Sequence, residues 1–190
     1  MRIIAGTARN RRIDAPEGTN TRPTLDRVRE NLFNILQTRI QSSTVLDLFA
    51  GSGALSLEAL SRGALSAVMC DIDRNAYRAE RRNTEKLGFT DKAEIYCCDW
   101  HVAVRKLTDR RISFDLIFLD PPYRMSDLRE VLENIFPLLR EDGLVIVEHE
   151  AGKPFLFGEC YEITDERRWG FCGVSFLQKV TGNAIPEKKE

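Results

Sequence analysis

No apolar stretch in this 190-residue chain approaches the roughly 20 residues a helix needs to cross a bilayer. The N-terminus also lacks the apolar core of a secretion signal. The chain therefore reads as cytoplasmic, with no membrane partner. Histidine is scarce: only His101 and His149 occur, too few and too far apart to suggest a metal site. The five cysteines (70, 97, 98, 160 and 172) are odd in number and contain no C-x-x-C pair. That argues against a disulfide framework or a zinc ribbon. Cys70, Cys97 and Cys98 lie in or beside apolar runs and read as buried reduced thiols. Excess charge is missing as well. A net charge of −1 and a pI of about 6.2 exclude a protein that binds nucleic acid through its overall charge. Repeats and low-complexity segments are also absent.

The charge that is present is unevenly placed. Residues 1–40 hold eight arginines (2, 9, 11, 12, 22, 27, 29, 39) against four acids (14, 17, 26, 30), a local net of +4. A basic end on a neutral body fits an arm that contacts phosphates, although a solvated surface has the same composition. Arg2–Gly6 and Arg9–Ile13 suggest two short strands around a glycine-containing turn. Pro23 opens a helical pattern, with Leu25, Val28, Leu32, Ile35 and Leu36 on one face, running to about Thr38. From Thr44 onward strand and helix alternate. Strands are predicted at 45–50, 67–72, 93–98, 114–119 and 143–149. Helices are predicted at 53–62, 74–87, 101–108 and 126–139, the last with Ser126 as N-cap. That rhythm implies a parallel sheet covered by helices on both faces. Two final strands, 160–164 and 172–180, are close enough to pair as an antiparallel hairpin through the link 165–170. Trp169 and Phe171 beside it read as core or edge packing. The fold class is thus α/β with a mostly parallel seven-stranded sheet. Residues 1–20 form a basic hairpin-and-loop extension, 21–182 the main domain and 183–190 a disordered tail.

Two motifs carry chemistry. Asp47-Leu48-Phe49-Ala50-Gly51-Ser52-Gly53 is a strand running into a glycine turn that opens a helix. Such a turn lets the backbone approach a ligand and presents helix N-terminal amides to it. Ser56 stands where a dinucleotide fingerprint wants Gly or Ala, which argues against a nicotinamide cofactor. Asp71, ending the second strand, is placed to accept hydrogen bonds from ribose hydroxyls, while Asp73 suits a helix cap. Asp99, ending the third strand before Trp100, can accept from an adenine amino group or cap the following helix. These acids and the turn define one crevice at the sheet's carboxyl edge.

The second motif is Asp120-Pro121-Pro122-Tyr123, directly after the apolar strand 114–119. The prolines lock φ, fixing a carboxylate beside an aromatic surface. An exocyclic base amine is a poor nucleophile because its lone pair is delocalised into the ring. Asp120 and the Pro121 carbonyl can each accept one amine hydrogen and orient the nitrogen for attack on a sulfonium methyl group. Tyr123 can stack on the base, which must be unpaired or flipped out.

The chain resembles the bacterial 16S ribosomal RNA guanine-N2 methyltransferases that use S-adenosylmethionine. The resemblance is carried by Met1–Gly6, Arg22-Pro23-Thr24-x-Asp26-Arg27-Val28-Arg29-Glu30-x-Leu32-Phe33-Asn34, Asp47–Leu55, Glu58–Ala64 and Asp120–Tyr123. It implies a Rossmann-like class I methyltransferase fold. It implies a donor site of Asp47, Phe49, Ala50, Gly51, Ser52, Gly53, Asp71, Ile72, Asp99 and Trp100. It assigns the target guanine to Asp120, Pro121, Pro122 and Tyr123. RNA contacts fall to Arg2, Arg9, Arg11, Arg12, Arg22 and Arg27. The implied partner is 16S ribosomal RNA in a small-subunit assembly particle, met by a monomer. Ser56 departs from the glycine of many relatives. The Pro-Pro-Tyr motif alone is shared with DNA adenine-N6 methyltransferases. A non-catalytic RNA-binding assembly factor is the alternative from another class.

Overall fold

The structure is a computed structural model, describing residues 1–17, 23–122, 125, 128–153 and 157–180, with the backbone alone at 23–26. Two short helices, α1 (Pro23–Ile35) and α2 (Gln37–Ile40), lead into β1 (Thr44–Asp47). There follow α3 (Ala54–Ser61), β2 (Ser66–Asp71), α4 (Arg74–Leu87), β3 (Ala93–Cys97), α5 (Trp100–Asp109) and β4 (Phe114–Leu119). The chain closes with α6 (Leu128–Ile135), β5 (Leu139–Glu150), β6 (Tyr161–Trp169) and β7 (Cys172–Lys179). Among the described residues the seven strands form one sheet in the order β3-β2-β1-β4-β5-β7-β6. The first five pair in parallel; β7 is antiparallel to both β5 and β6. The sheet is therefore mixed, as the sequence rhythm implies.

Alternate residues of each central strand feed two cores. Leu116, Phe118 and Ile146 pack with α1, α2 and α3 on one face. Ile117, Leu119 and Val147 pack with α5 and α6 on the other. Both faces are buried, which is why β4 reads as an unbroken apolar run rather than an alternating one. No helix of the described residues is long and apolar enough to cross a membrane.

Several expected boundaries move, each for a local reason. The first helix stops at Ile35, which is 39% exposed, while Arg29 and Phe33 turn inward beside Val28 and Leu32. α6 ends at Ile135, and Phe136–Leu138 continues as a 3₁₀ turn around Pro137, whose nitrogen cannot donate to a helix. The Ser126 cap lies outside the described residues, as does the tail 183–190. β6 runs through the charged segment taken for a link. It is the sheet's edge, so its outer positions stay exposed, and it carries a bulge between Ile163 and Asp165. Charge and bulges are how edge strands resist further pairing, and they erase the apolar alternation that marks an inner strand. Cys97, expected to be buried, is exposed at the end of edge strand β3, whereas Cys70 is buried. Trp169 packs against the core, but Phe171 is 87% exposed at the β6–β7 turn.

The first fourteen residues are bound tightly to the body. Arg2 and Arg12 form an antiparallel bridge rather than full strands. Ile3, Ala8 and Ile13 enter the core. The buried Glu58 carboxylate of α3 accepts from the amides of Ile4 (2.7 Å) and Ala5 (3.0 Å) and from Arg62 Nε (2.7 Å). Ser61 Oγ donates to the Ala5 carbonyl and accepts from the Ala8 amide. Glu58→Ala would leave two amides and a guanidinium without their shared acceptor. The expected loss is about 3 kcal/mol, read by chemical denaturation; a change within experimental scatter would show that the segment is held by apolar contacts alone.

Candidate active site

The carboxyl ends of β1, β2, β3, β4 and β5 open into one cavity of about 590 Å³. Phe49, Asp71, Ile72, Asp99 and Trp100 line one end of the wall; Asp120, Pro121, Pro122 and Met125 line the other. Eight sequence-predicted residues thus meet in a single space. Leu48, Cys98, Met125 and Glu148 complete it, and the sequence reading had named none of them as a site residue. Tyr123 and Arg22 lie outside the described residues.

The glycine turn is built from below. Gly51 and Gly53 take φ of 57° and 76°, the left-handed region that favours glycine. A Cβ on Gly53 would come within 2.9 Å of Met69 Sδ, so this position also needs glycine for space. A Cβ on Gly51 would meet nothing within 4 Å, which leaves room for a ligand against the turn. The Gly51 amide donates to Asp71 Oδ2 at 2.9 Å, and the Asp73 amide donates to Asp71 Oδ1 at 2.9 Å. Asp71 therefore ties the turn after β1 to the turn after β2. Asp73 caps α4 through the Asn75 amide. Asn83 Nδ2 donates to the carbonyls of Ser52 and Asp14, which ties the N-terminal segment to the same turn. Ala50 and Ser52 are buried, and Ser52 Oγ lies 3.8 Å from Met1 Sδ.

Asp99 caps α5, accepting from the His101 amide (2.9 Å) and pairing with His101 Nδ1 (2.7 Å), both at Oδ1. His101 also reaches Glu130, and the two acids hold its pKa above the ordinary value. Trp100 is buried against His101, ring centroids 3.5 Å apart, and Ile72 opposite is 70% exposed. Those apolar faces suit a flat ring.

Beneath the turn lie two buried acids with no cation beside them among the described residues. Asp47 is buried, accepts from Ser56 Oγ at 3.2 Å through Oδ2, and leaves Oδ1 without a protein partner. Burial is the main reason its pKa rises to about 7. Glu80 of α4 is fully buried, and neither carboxylate oxygen finds a hydrogen-bond partner. Burial first, then Asp47 and Asp71, raise it to about 9. Asp47 and Glu80 lie behind the turn and do not line the cavity; the open space against Gly51 and the wall acids Asp71 and Asp99 are what fit a nucleoside-bearing donor.

Glu80 keeps its proton in the folded state from about 4.5, where the unfolded chain releases it, up to about 9. Across that window the native state binds more protons, so stability falls as pH rises. The ligand-free protein is expected to melt lower at about pH 8.5 than at about pH 6, and Glu80→Gln is expected to raise the alkaline melting temperature and flatten the slope. Parallel pH profiles for the two proteins would remove Glu80 as the cause.

At the other end, the Asp120 side chain opens to the cavity. Desolvation by the surrounding protein, then the charges of Glu148 and Asp47, hold its carboxyl well above the ordinary value. Pro121 is buried behind it. Arg2, Arg9, Arg11, Arg12 and Arg27 are all exposed. Arg29, on which no role was placed, is instead buried, donating to the Arg2 carbonyl and contacting Met1 Sδ.

Strand order, glycine turn and acids at successive strand tips define the class: S-adenosylmethionine-dependent methyltransferases. SMU.776, described as a methyltransferase and solved with SAH, shares the fold at a TM-score of 0.71 and 18% identity, over 84% of this chain and 50% of that one. More specifically, the chain belongs to the family described as Conserved hypothetical protein 95, which matches residues 1–178. It is 32% identical over 182 residues to the Ribosomal RNA small subunit methyltransferase D of Haemophilus influenzae, covering 94% of this chain and 93% of that protein. It is 38% identical over 157 residues to the Escherichia coli protein of the same name, covering 80% and 75%. The solved Escherichia coli protein yhhF superposes at a TM-score of 0.80 with 32% identity, over 94% of this chain and 97% of that one.

Proposed function

We propose that this protein transfers a methyl group from S-adenosylmethionine to N2 of a guanine in 16S ribosomal RNA, within a small-subunit assembly particle. The carrying observation is Asp120, fixed by Pro121 and Pro122 on the wall of the cavity that also holds Asp71, Asp99 and Trp100. The names of the relatives support ribosomal RNA as the substrate class.

In this reading Asp71 accepts from the donor's ribose while pinning the glycine turn. Asp99, bonded to His101 through Oδ1, offers Oδ2 to the adenine amine, with Ile72 and Trp100 on the ring faces. Asp47, buried off the cavity wall, supports the turn from beneath and accepts from Ser56 Oγ. When bound, the donor supplies an electrophilic sulfonium methyl group. Asp120 and the Pro121 carbonyl accept the two amine hydrogens and turn the nitrogen lone pair toward that carbon. Once methylated, the amine carries positive charge and is acidic, so it gives up one proton to solvent water and no strong base is required. Asp120 stabilises that charge as it develops. Pro122 and Tyr123 would bear on the base itself.

RNA would run across the exposed arginines of the N-terminal segment, which Asn83 ties to the glycine turn. Exposed Phe171 stands beyond Cys172, which pairs with Glu150 at the carboxyl end of β5. It therefore lies at the same end of the strands as the cavity, where an aromatic ring can stack on an unpaired base. The test is nucleoside mapping of small-subunit RNA from a strain lacking the gene. One N2-methylguanosine should vanish and return with a plasmid copy. An unchanged modification map would reject the reading.

A further inference from the structure

Glu148 is the one cavity-lining acid that the mechanism above leaves without a task. It ends the apolar run of β5 as Asp120 ends that of β4. Leu119 pairs with Val147 in the parallel β4–β5 ladder, so Asp120 and Glu148 occupy the next equivalent positions. Neighbouring strands lie about 4.8 Å apart, and equivalent positions project to the same face. Both residues line the cavity. Glu148 is half-buried and sits beside Cys172, whose thiol is pushed up to about 12 by burial and by this carboxylate. The glutamate side chain is one methylene longer than that of Asp120, so its carboxylate can reach further out from the strand tip.

We propose that Glu148 is a specificity-determining residue that accepts the N1–H of the target guanine beside the N2 amine held by Asp120. This rests on the guanine-N2 reading and deepens it. The chemistry of the base edges carries the choice. Guanine presents N1–H and N2–H side by side, two donors for two adjacent acceptors. Adenine and cytosine present an amine next to a ring nitrogen lone pair. That lone pair would face a Glu148 oxygen, adding repulsion to a lost hydrogen bond. A site built to accept a hydrogen bond discriminates strongly against an analogue that lacks the donor. Two neighbouring carboxylates also repel one another in the empty site, and a base edge with two donors relieves that repulsion. Burial first, and then the Glu148 charge, hold the Asp120 carboxyl above its ordinary value.

The experiment uses the full chain, tritiated S-adenosylmethionine and small-subunit RNA carrying either guanine or 2-aminopurine at the mapped position. 2-Aminopurine keeps the 2-amine but has a lone pair at N1. The wild-type protein is expected to favour guanine by roughly 30-fold or more in kcat/KM. In Glu148→Ala that preference should shrink to below about threefold, with affinity for S-adenosylhomocysteine within about twofold of wild type as evidence of an intact fold. Glu148→Gln, whose amide can donate to N1, should shift preference toward 2-aminopurine. Wild-type protein that methylates guanine but does not discriminate between the two bases would overturn this inference and leave the guanine reading intact. Unchanged discrimination in both variants would overturn it equally. No transfer to guanine by wild type would instead reject the reading on which it rests.

Discussion

Asp120→Ala is expected to lower methyl transfer to RNA roughly 10³-fold while changing the affinity for S-adenosylhomocysteine less than about threefold. The residue sits at the tip of β4, which β1 separates from the β2 and β3 tips that carry Asp71 and Asp99, so in the proposed reading the donor would lose no direct partner. What disappears is the acceptor that fixes the amine and the charge that steadies it after attack. Misplacing a nucleophile by an ångström can cost two orders of magnitude, and removing the stabilising charge adds to that. Asp120→Asn should fall between, since its amide oxygen can still accept one hydrogen. The two prolines keep the backbone in place in either variant, so the measurement separates chemistry from folding. Near-wild-type transfer by Asp120→Ala would remove this carboxylate from the reaction.

Asp71→Ala is expected to show the complementary pattern: affinity for S-adenosylhomocysteine weakened about 100-fold or more, measured calorimetrically. The carboxylate does two things at once. In the proposed reading it binds ribose, and in the structure it holds the amides of Gly51 and Asp73, each at 2.9 Å. Its loss frees the glycine turn as well as a ligand contact. Asp71→Asn retains one acceptor and should recover part of the affinity. Unaltered donor binding in Asp71→Ala would place the donor elsewhere in the cavity.

The legible part of this protein follows one rule: an acid directly after a buried apolar run marks a strand tip. Asp71 and Asp120 obey it, Asp99 follows only the half-exposed edge strand β3, and the structure brings all three into one cavity. Glu148 obeys it too, after the apolar run 144–147, but it belongs to no glycine turn or proline motif and was passed over. Other features had a masked linear signal or none. Glu80 falls at helical spacing from Ala76 and Leu87, on the face that α4 buries, but its charge masks that signal among the exposed charges around it. Ser56 was read for what it replaces; its hydroxyl in fact supports Asp47. Asn83 joins residues 31 and 69 positions away, a contact only the fold can create. β6 and Phe171 were misjudged for the same reason: at an edge, charge and exposed aromatics coexist with regular strand geometry.

Incubation of purified protein with tritiated S-adenosylmethionine and undermethylated small-subunit particles, followed by nucleoside analysis of the RNA, tests the central claim most directly. Label is expected in N2-methylguanosine at a single site and absent with Asp120→Ala. Label in N6-methyladenosine, or full labelling by Asp120→Ala, would contradict it.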